Sequence, residues 1–287
     1  MKDKKLTQSD IDNIITESFL YKRFRLLAVN MFKYTGLDGL GFEERHIERY
    51  LCDEGKCLWF KDKTLGLMCL PCQGVGVNVY NDPIKYRAVG FGYSKEYDVE
   101  DCVLMENNKL RIPTHDVLLY FTRQLYEVVR TRDVNVRTLK LPFVIATDDK
   151  GVLTAKKIIE EIDNNTYAVV TNKNTVPIDE LIKVLATGVK PYTTELTDLY
   201  HDILNECLTY LGINNANTDK KERLITNEVN ANNQFIESCS NIFLESRKKA
   251  VEEINKKFGT NISVELRNKP EGGEDVAIKP IQKPVTE

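Results

Sequence analysis

The spacing of apolar residues switches repeatedly between helical and strand periods along this chain, so no single-layer fold can accommodate it. Ile11, Ile15, Phe19, then Phe24, Leu27, Met31 and Tyr34 recur near 3.6 with one slip, predicting a first helix that Gly36 ends. Thr7 and Asp10 have capping-box spacing. From about Lys56 to Arg111 the period drops to two. Leu58–Phe60, Leu67–Leu70, Val75–Tyr80 and Tyr86–Tyr93 are separated by turn-forming residues and predict a small antiparallel barrel or sheet.

Two long amphipathic runs then flank a shorter alternating unit. Pro113 and Thr114 open the first, with Val117, Phe121, Leu125 and Val128 as its apolar stripe and Pro142 beyond its end. Arg123, Arg130 and Arg137 recur every seven residues on another face. The alternating unit reads as strand Phe143–Thr147, helix Ala155–Ile162, strand Thr166–Thr171 and helix Ile178–Leu185. Pro191 starts the second run, where Leu196, Leu199, Ile203, Cys207 and Tyr210 line one face and Gly212 stops it. Glu195, Asp198, Asp202 and Glu206 form an acidic stripe beside that face. Ile213–Gln234 is rich in Asn, Asp and Lys and predicts a long loop. A last helix follows, with Phe235, Cys239, Phe243, Ala250, Ile254 and Phe258 inward, then a short strand Ile262–Leu266. Beyond Asn268, Pro270, Gly272, Gly273, Pro280 and Pro284 predict a disordered tail.

Charge and motifs exclude several functions. A net charge of -3 does not suit a generally basic nucleic-acid coat, so DNA contact needs a local cluster. Lys220, Lys221 and Arg223 are the best such cluster, able to meet phosphates without reading bases. No run reaches the ~20 apolar residues that span a bilayer, and the polar N-terminus lacks a signal-peptide core, so folding in a cytoplasm is expected. There is no Walker loop, and His46, His115 and His201 lie in no nucleophile motif. The pairs Gly74/Gly76 and Gly90/Gly92 predict bulges or close backbone approach rather than a phosphate loop. Cys52, Cys57, Cys69 and Cys72 leave two readings: a zinc site in a nucleic-acid-binding enzyme or adaptor, or reduced thiols in a strand core. The strand-like surroundings and odd cysteine count favour the second, with no metal and no cofactor.

The segment Leu211-Gly-Ile-Asn-Asn-Ala-Asn-Thr-Asp-Lys-Lys-Glu-Arg-Leu-Ile-Thr-Asn-Glu-Val229 adds a family likeness. With Asn232, Phe235-Ile-Glu-Ser238, Phe243-Leu-Glu-Ser-Arg247 and Glu253-Ile-Asn255, it resembles the upper collar (portal, head–tail connector) proteins of small short-tailed phages of the Bacillus picovirus type. The likeness is strongest over Leu211–Arg267 and continues as element order through Pro113–Tyr210.

The resemblance implies an α+β, mainly α, ring-forming portal fold: long tilted stem helices, a small β-barrel-like wing and an α/β clip. Its divisions would be a helix and β-rich wing over 1–112, a stem helix over 113–140, the clip over 141–188 and a second stem helix over 189–212. A channel loop over 213–234, a wing helix and strand over 235–267 and a tail over 268–287 would complete it. It further implies a dodecameric homo-oligomer around sequence-independent double-stranded DNA. Expected partners are a packaging ATPase, with or without packaging RNA, scaffold and major capsid proteins, and lower collar or tail proteins. Neither enzymatic activity nor a membrane is implied. Lys220, Lys221 and Arg223 match the family's channel-loop cations. Channel lysines near the family's second stem helix align with Ala186 and Glu195, and Lys183 and Lys190 lie only nearby, so no lysine ring carries over. A phage structural protein that shares the C-terminal segment without forming a ring is the remaining alternative.

Overall fold

The computed structural model describes residues 8–140, 143–146, 183–186, 190–214 and 226–267. Contacts divide the chain into two units: Met1–Phe24, Val117–Tyr210 and Asn214–Arg223 in one, Arg25–Asp116, Leu211–Ile213 and Leu224–Glu287 in the other. The predicted helix Ala155–Ile162 and strand Thr166–Thr171 lie outside the described residues.

The second unit begins within helix α1 (Gln8–Val29) and continues into β1 (Phe32–Thr35). Phe32 and Tyr34 are buried on β1, which pairs antiparallel with β10 (Ser263–Leu266). The expected helix to Tyr34 is thereby corrected. The strand binds its backbone groups to a segment more than 200 residues away, which no local period can anticipate. Gly36 accordingly does not cap a helix. It turns the chain beside the Asn261 carbonyl at φ +76°, where a Cβ would clash with backbone.

Helix α2 (Glu44–Glu54), for which the sequence supplied no expectation, buries Ile47, Leu51 and Cys52. Glu43 and His46 close its N-terminus as a reciprocal capping box. Next come β2 (Lys56–Asp62), β3 (Gly66–Leu70), β4 (Cys72–Val77), β5 (Pro83–Gly90), β6 (Tyr93–Asp98) and, after a 3-10 turn, β7 (Cys102–Glu106). The expected single strand Tyr86–Tyr93 is a hairpin, with Phe91 fully exposed at its tip. The strands form two antiparallel three-stranded sheets, β3-β2-β7 and β4-β5-β6. Leu58, Phe60, Cys72, Tyr86, Ala88 and Cys102 make their common core.

Asp62 fastens the two sheets. Its carboxylate accepts the Thr64 and Leu65 backbone N–H groups at 2.8 and 3.2 Å, Tyr93 Oη at 2.9 Å and Lys95 Nζ at 3.0 Å. The Thr64 N–H, then Lys95 and Tyr93, hold this carboxyl far below the usual carboxylate range. The glycine pairs behave as predicted at Gly76, where β4 bulges: Val75 pairs Lys85 and Val77 pairs Pro83, and a Cβ at φ +65° would press on Ile84.

Helix α3 (Thr114–Lys140) buries Leu118, Phe121, Leu125 and Val128, close to the expected stripe. A two-stranded antiparallel sheet joins β8 (Phe143–Ala146) to β9 (Lys183–Ala186). The helix expected over Ile178–Leu185 is therefore corrected at 183–185. There Val184 and Leu185 sit in a ladder that satisfies the backbone of β8, and pairing outweighs local propensity.

Helix α4 (Thr193–Leu211) is followed by α5 (Thr226–Phe258). The loop expected to reach Gln234 is shorter, because α5 begins at Thr226. Nucleation is the costly step, and a helix packed over Ile236–Ile254 extends through polar residues at little expense. The buried side of α5 is Ile236, Ser240, Phe243, Leu244, Arg247, Ala250, Val251 and Ile254. Phe235, expected inward, stands at the rim and is 60% exposed. Likewise α1 turns Leu20, Phe24 and Ala28 inward and leaves Ile11, Ile14, Ile15 and Phe19 outward.

Arg247 is the polar centre of the second unit. Its guanidinium forks onto Glu48 at 2.8 and 2.7 Å, donates to the Phe243 carbonyl at 3.0 Å and Asn107 Oδ1 at 3.2 Å, and lies 4.0 Å above the Phe32 ring. Tyr34 Oη donates to the same carboxylate at 2.7 Å. One side chain thus ties α2, β1, α5 and the exit of β7.

Candidate functional site

The acidic residues of the second long run come together as expected. Positions 195, 198, 202 and 206 follow helical spacing, so their side chains share one stripe along roughly 17 Å of α4. Glu195, Asp198, Asp202 and Glu206 are all exposed, and none makes an ion pair among the described residues. The opposite side buries Cys207. Burial pushes that thiol up to about 12, so it stays protonated and unreactive. Leu199, expected on the apolar face, lies between the two stripes and is 46% exposed.

The arginines of α3 do not form one uniform row. Arg123 is exposed and makes no ion pair among the described residues. Arg130 is half-buried and donates to Asp133 at 3.0 Å. Arg137 is exposed but lies 3.7 Å from Asp12 of α1. Two of the three cations thus already have partners within the protomer.

Asn135 fixes the approach to α4. Its Nδ2 donates to the Lys190 carbonyl at 3.0 Å, and its Oδ1 accepts the Tyr192 backbone N–H at 3.2 Å. Arg23 Nη1 donates to Tyr200 Oη at 3.2 Å, linking α1 to α4. Sequence reasoning missed both contacts, since pairs 55–57 and 177 residues apart leave no local signature. Lys190 is exposed. Lys183 is described only as backbone of β9, and Lys220, Lys221 and Arg223 lie outside the described residues.

The four candidate cysteines lie on four separate elements. Cys52 is on α2, Cys57 on β2, Cys69 on β3 and Cys72 on β4, all buried, and all seven thiols are free. Burial pushes Cys52 up to about 11 and Cys72 up to about 12, and Cys57 and Cys69 share a thiol hydrogen bond. Among the described residues, no three His, Cys, Asp or Glu side chains converge to hold a metal ion. Nor is any described helix long and apolar enough to cross a membrane.

A mixed helix-and-sheet chain, with two long amphipathic helices and a charged helix face, is thus on view, and among the described residues no three metal-ligating side chains gather. The chain belongs to the phage connector (GP10) family, whose model matches residues 7–270. This is a family of structural phage proteins. A curated relative is the portal protein of Staphylococcus phage 44AHJD, 25% identical over 163 residues, which cover 56% of this chain and 64% of that protein. The match therefore spans just under two thirds of the relative's length. Among solved structures, the portal and tail of native bacteriophage P68 is similar at 18% identity, over 92% of this chain and 91% of that one, with a TM-score of 0.48. An HK97-family phage portal protein from Corynebacterium diphtheriae is similar at 9% identity, over 90% and 94%, with a TM-score of 0.50. The second likeness is one of fold.

Proposed function

We propose that this protein is the portal of a phage: twelve copies closing into a ring at one capsid vertex, through which double-stranded DNA is packaged, retained and ejected. The observation that carries this reading is the family match across residues 7–270. On this reading α3 and α4 are the stem around the bore, 141–188 is the clip and 213–225 the channel loop. The wing comprises the N-terminal region, the two small sheets and α5. Assembly takes place in the host cytoplasm. Energy comes from a separate packaging ATPase docking at the clip, with or without a packaging RNA. Scaffold and capsid proteins surround the wing, and lower collar or tail proteins join below.

Apolar groups already exposed on the first unit supply the seams between copies. Ile11, Ile14, Ile15 and Phe19 form one outward stripe, and each such side chain contributes about 1.5–3 kcal/mol when fully buried. An exposed ion pair adds only about 0.2–1 kcal/mol, so charges set register rather than hold the ring.

The acidic stripe of α4 faces the bore. Arg130 and Arg137 are satisfied inside their own protomer, which leaves Arg123, among the described residues, as the member of the arginine row without an ion pair for four carboxylates. The stripe is therefore better matched to a repelled polyanion than to a neighbour's arginines. Duplex DNA carries a charge every ~1.7 Å, and a bore that bound many phosphates would stall it. An acidic wall with a few loop cations lets the duplex slide, and Lys220, Lys221 and Arg223 act as a valve against backsliding.

Rings carrying Lys220→Ala, Lys221→Ala and Arg223→Ala test the valve. They should assemble and take up DNA at near the normal rate, but lose most of it once packaging stops, as measured by nuclease-protected DNA per particle over time. Retention equal to the unaltered protein would remove the valve from the account.

A further inference from the structure

The long helices of the first unit are fixed in height against one another by three polar contacts. Arg137 Nη2 of α3 lies 3.7 Å from Asp12 Oδ2 of α1, so the end of α3 is level with the start of α1. Three residues on from Asp12 is Ile15, and three back from Arg137 is Val134. A second route gives the same register. Asn135 of α3 binds the backbone at 190 and 192, just before α4, and Arg23 of α1 binds Tyr200, eight residues after Tyr192. Eight residues before Arg23 is again Ile15, now level with Asn135. The two routes agree to within one residue: α1 and α3 run antiparallel, with Ile15 at the height of Val134.

At these heights the outward sides of the two helices match. The stripe on α1 is Ile11, Ile15, Ser18 and Lys22, and the stripe on α3 is Thr138, Val134, Thr131 and Glu127. Both are spaced four, three and four, which keeps side chains on one helix face. Ile15 and Val134 are 61% and 58% exposed. Lys22 and Glu127 are exposed, and neither makes an ion pair among the described residues. Leu20 and Phe24 on α1, and Leu118, Phe121 and Leu125 on α3, mark the opposite, buried sides, so the two stripes of one copy point away from each other.

We propose that the α1 stripe of one copy seats on the α3 stripe of the next, and that this contact is the seam that closes the ring; the assignment rests on the portal reading above. A closed ring joins copies head to tail, so each copy presents two different faces, whereas a stripe that met its own twin would make a two-fold dimer. Rotation about the ring axis leaves each residue's height along that axis unchanged. The neighbour's α3 therefore meets α1 in the register that holds within one copy, which sets Ile15 on Val134 and Lys22 on Glu127. The acidic stripe of α4 would offer Lys22 an anion but would hold Ile11 and Ile15 against carboxylates. The α3 stripe matches the apolar and the charged positions together.

Cross-linking tests the register. A disulfide needs Cα atoms within about 7 Å. The full chain carrying Ile15→Cys and Val134→Cys, assembled and then treated with oxidised glutathione, should give a ladder of covalently joined chains. Ile15→Cys with Tyr120→Cys moves the second thiol fourteen residues, about 21 Å, along the same face and should give none. Among the native cysteines only Cys239 is not buried, and the single variants control for it. A charge swap supplies a second readout. Lys22→Glu should raise the chain concentration needed for half-assembly about threefold or more, and adding Glu127→Lys should bring it back. Both positions are exposed, so folding is unaffected. Rings that form yet link 15 to 134 no better than 15 to 120, or link them only within one chain, overturn the seam and leave the portal reading standing, as does a charge swap without rescue. Absence of rings from the unsubstituted protein overturns both.

Discussion

Replacing Arg247 with Ala should lower unfolding stability by about 3–5 kcal/mol, because it strands a buried carboxylate. Arg247 and Glu48 are 3% and 2% exposed, so Glu48 would keep only the Tyr34 hydroxyl as partner. Burial alone would lower the Arg247 pKa, but Glu48 carries it above the ordinary value, and the guanidinium stays charged. Burial, followed by Glu48, pushes the Tyr34 hydroxyl up, which keeps it a donor. A loss of this size is a large part of the ~5–15 kcal/mol that typically holds a domain together. The double substitution Arg247→Met with Glu48→Leu should recover most of it, since two apolar groups of similar volume need no pairing. Urea unfolding of the three proteins checks both parts. A single variant no weaker than an ordinary surface substitution would show that the fork is not what joins α2 to α5.

Neutralising the acidic stripe should make the ring grip DNA. With Glu195→Gln, Asp198→Asn, Asp202→Asn and Glu206→Gln, rings should still form, because the apolar seams are untouched. Each carboxylate–phosphate repulsion at ~10 Å in water amounts to about 0.4 kcal/mol at low salt. Relieving four of them per protomer reaches about 1.6 kcal/mol even before summing around the ring, so duplex affinity at low salt should rise about tenfold or more. Translocation should slow correspondingly. The check is duplex binding across a salt series together with packaging rate. Unchanged affinity, or failure of the ring to assemble, would place the stripe against a neighbour rather than the bore.

The two long helices were legible because each carries its own signal: an uninterrupted apolar stripe, with Pro113 before one and Gly212 after the other. The acidic stripe was legible for the same reason, since helical spacing alone puts its four members on one face. Elements defined by distant partners were not. Tyr34 looks helical until β1 meets β10, and Lys183–Leu185 looks helical until it meets β8. Helix α2 was overlooked although Ile47 and Leu51 are spaced one turn apart between Glu43 and Gly55. Pairing state was the least legible feature of the site. Arg123, Arg130 and Arg137 share a seven-residue period, yet Asp133 and Asp12 occupy two of them, while Arg123 makes no ion pair among the described residues. Arg247 appeared only inside a family-like motif, and nothing local announces that it is buried against Glu48 nearly two hundred residues away.

The mass of the purified particle, read together with its image by electron microscopy, tests the central claim most directly. A single chain weighs 33.0 kDa. Under assembly-permissive conditions the account predicts a closed particle of twelve chains, with a central opening at least as wide as duplex DNA. Particles of one chain's mass, or compact assemblies with no opening, would contradict it.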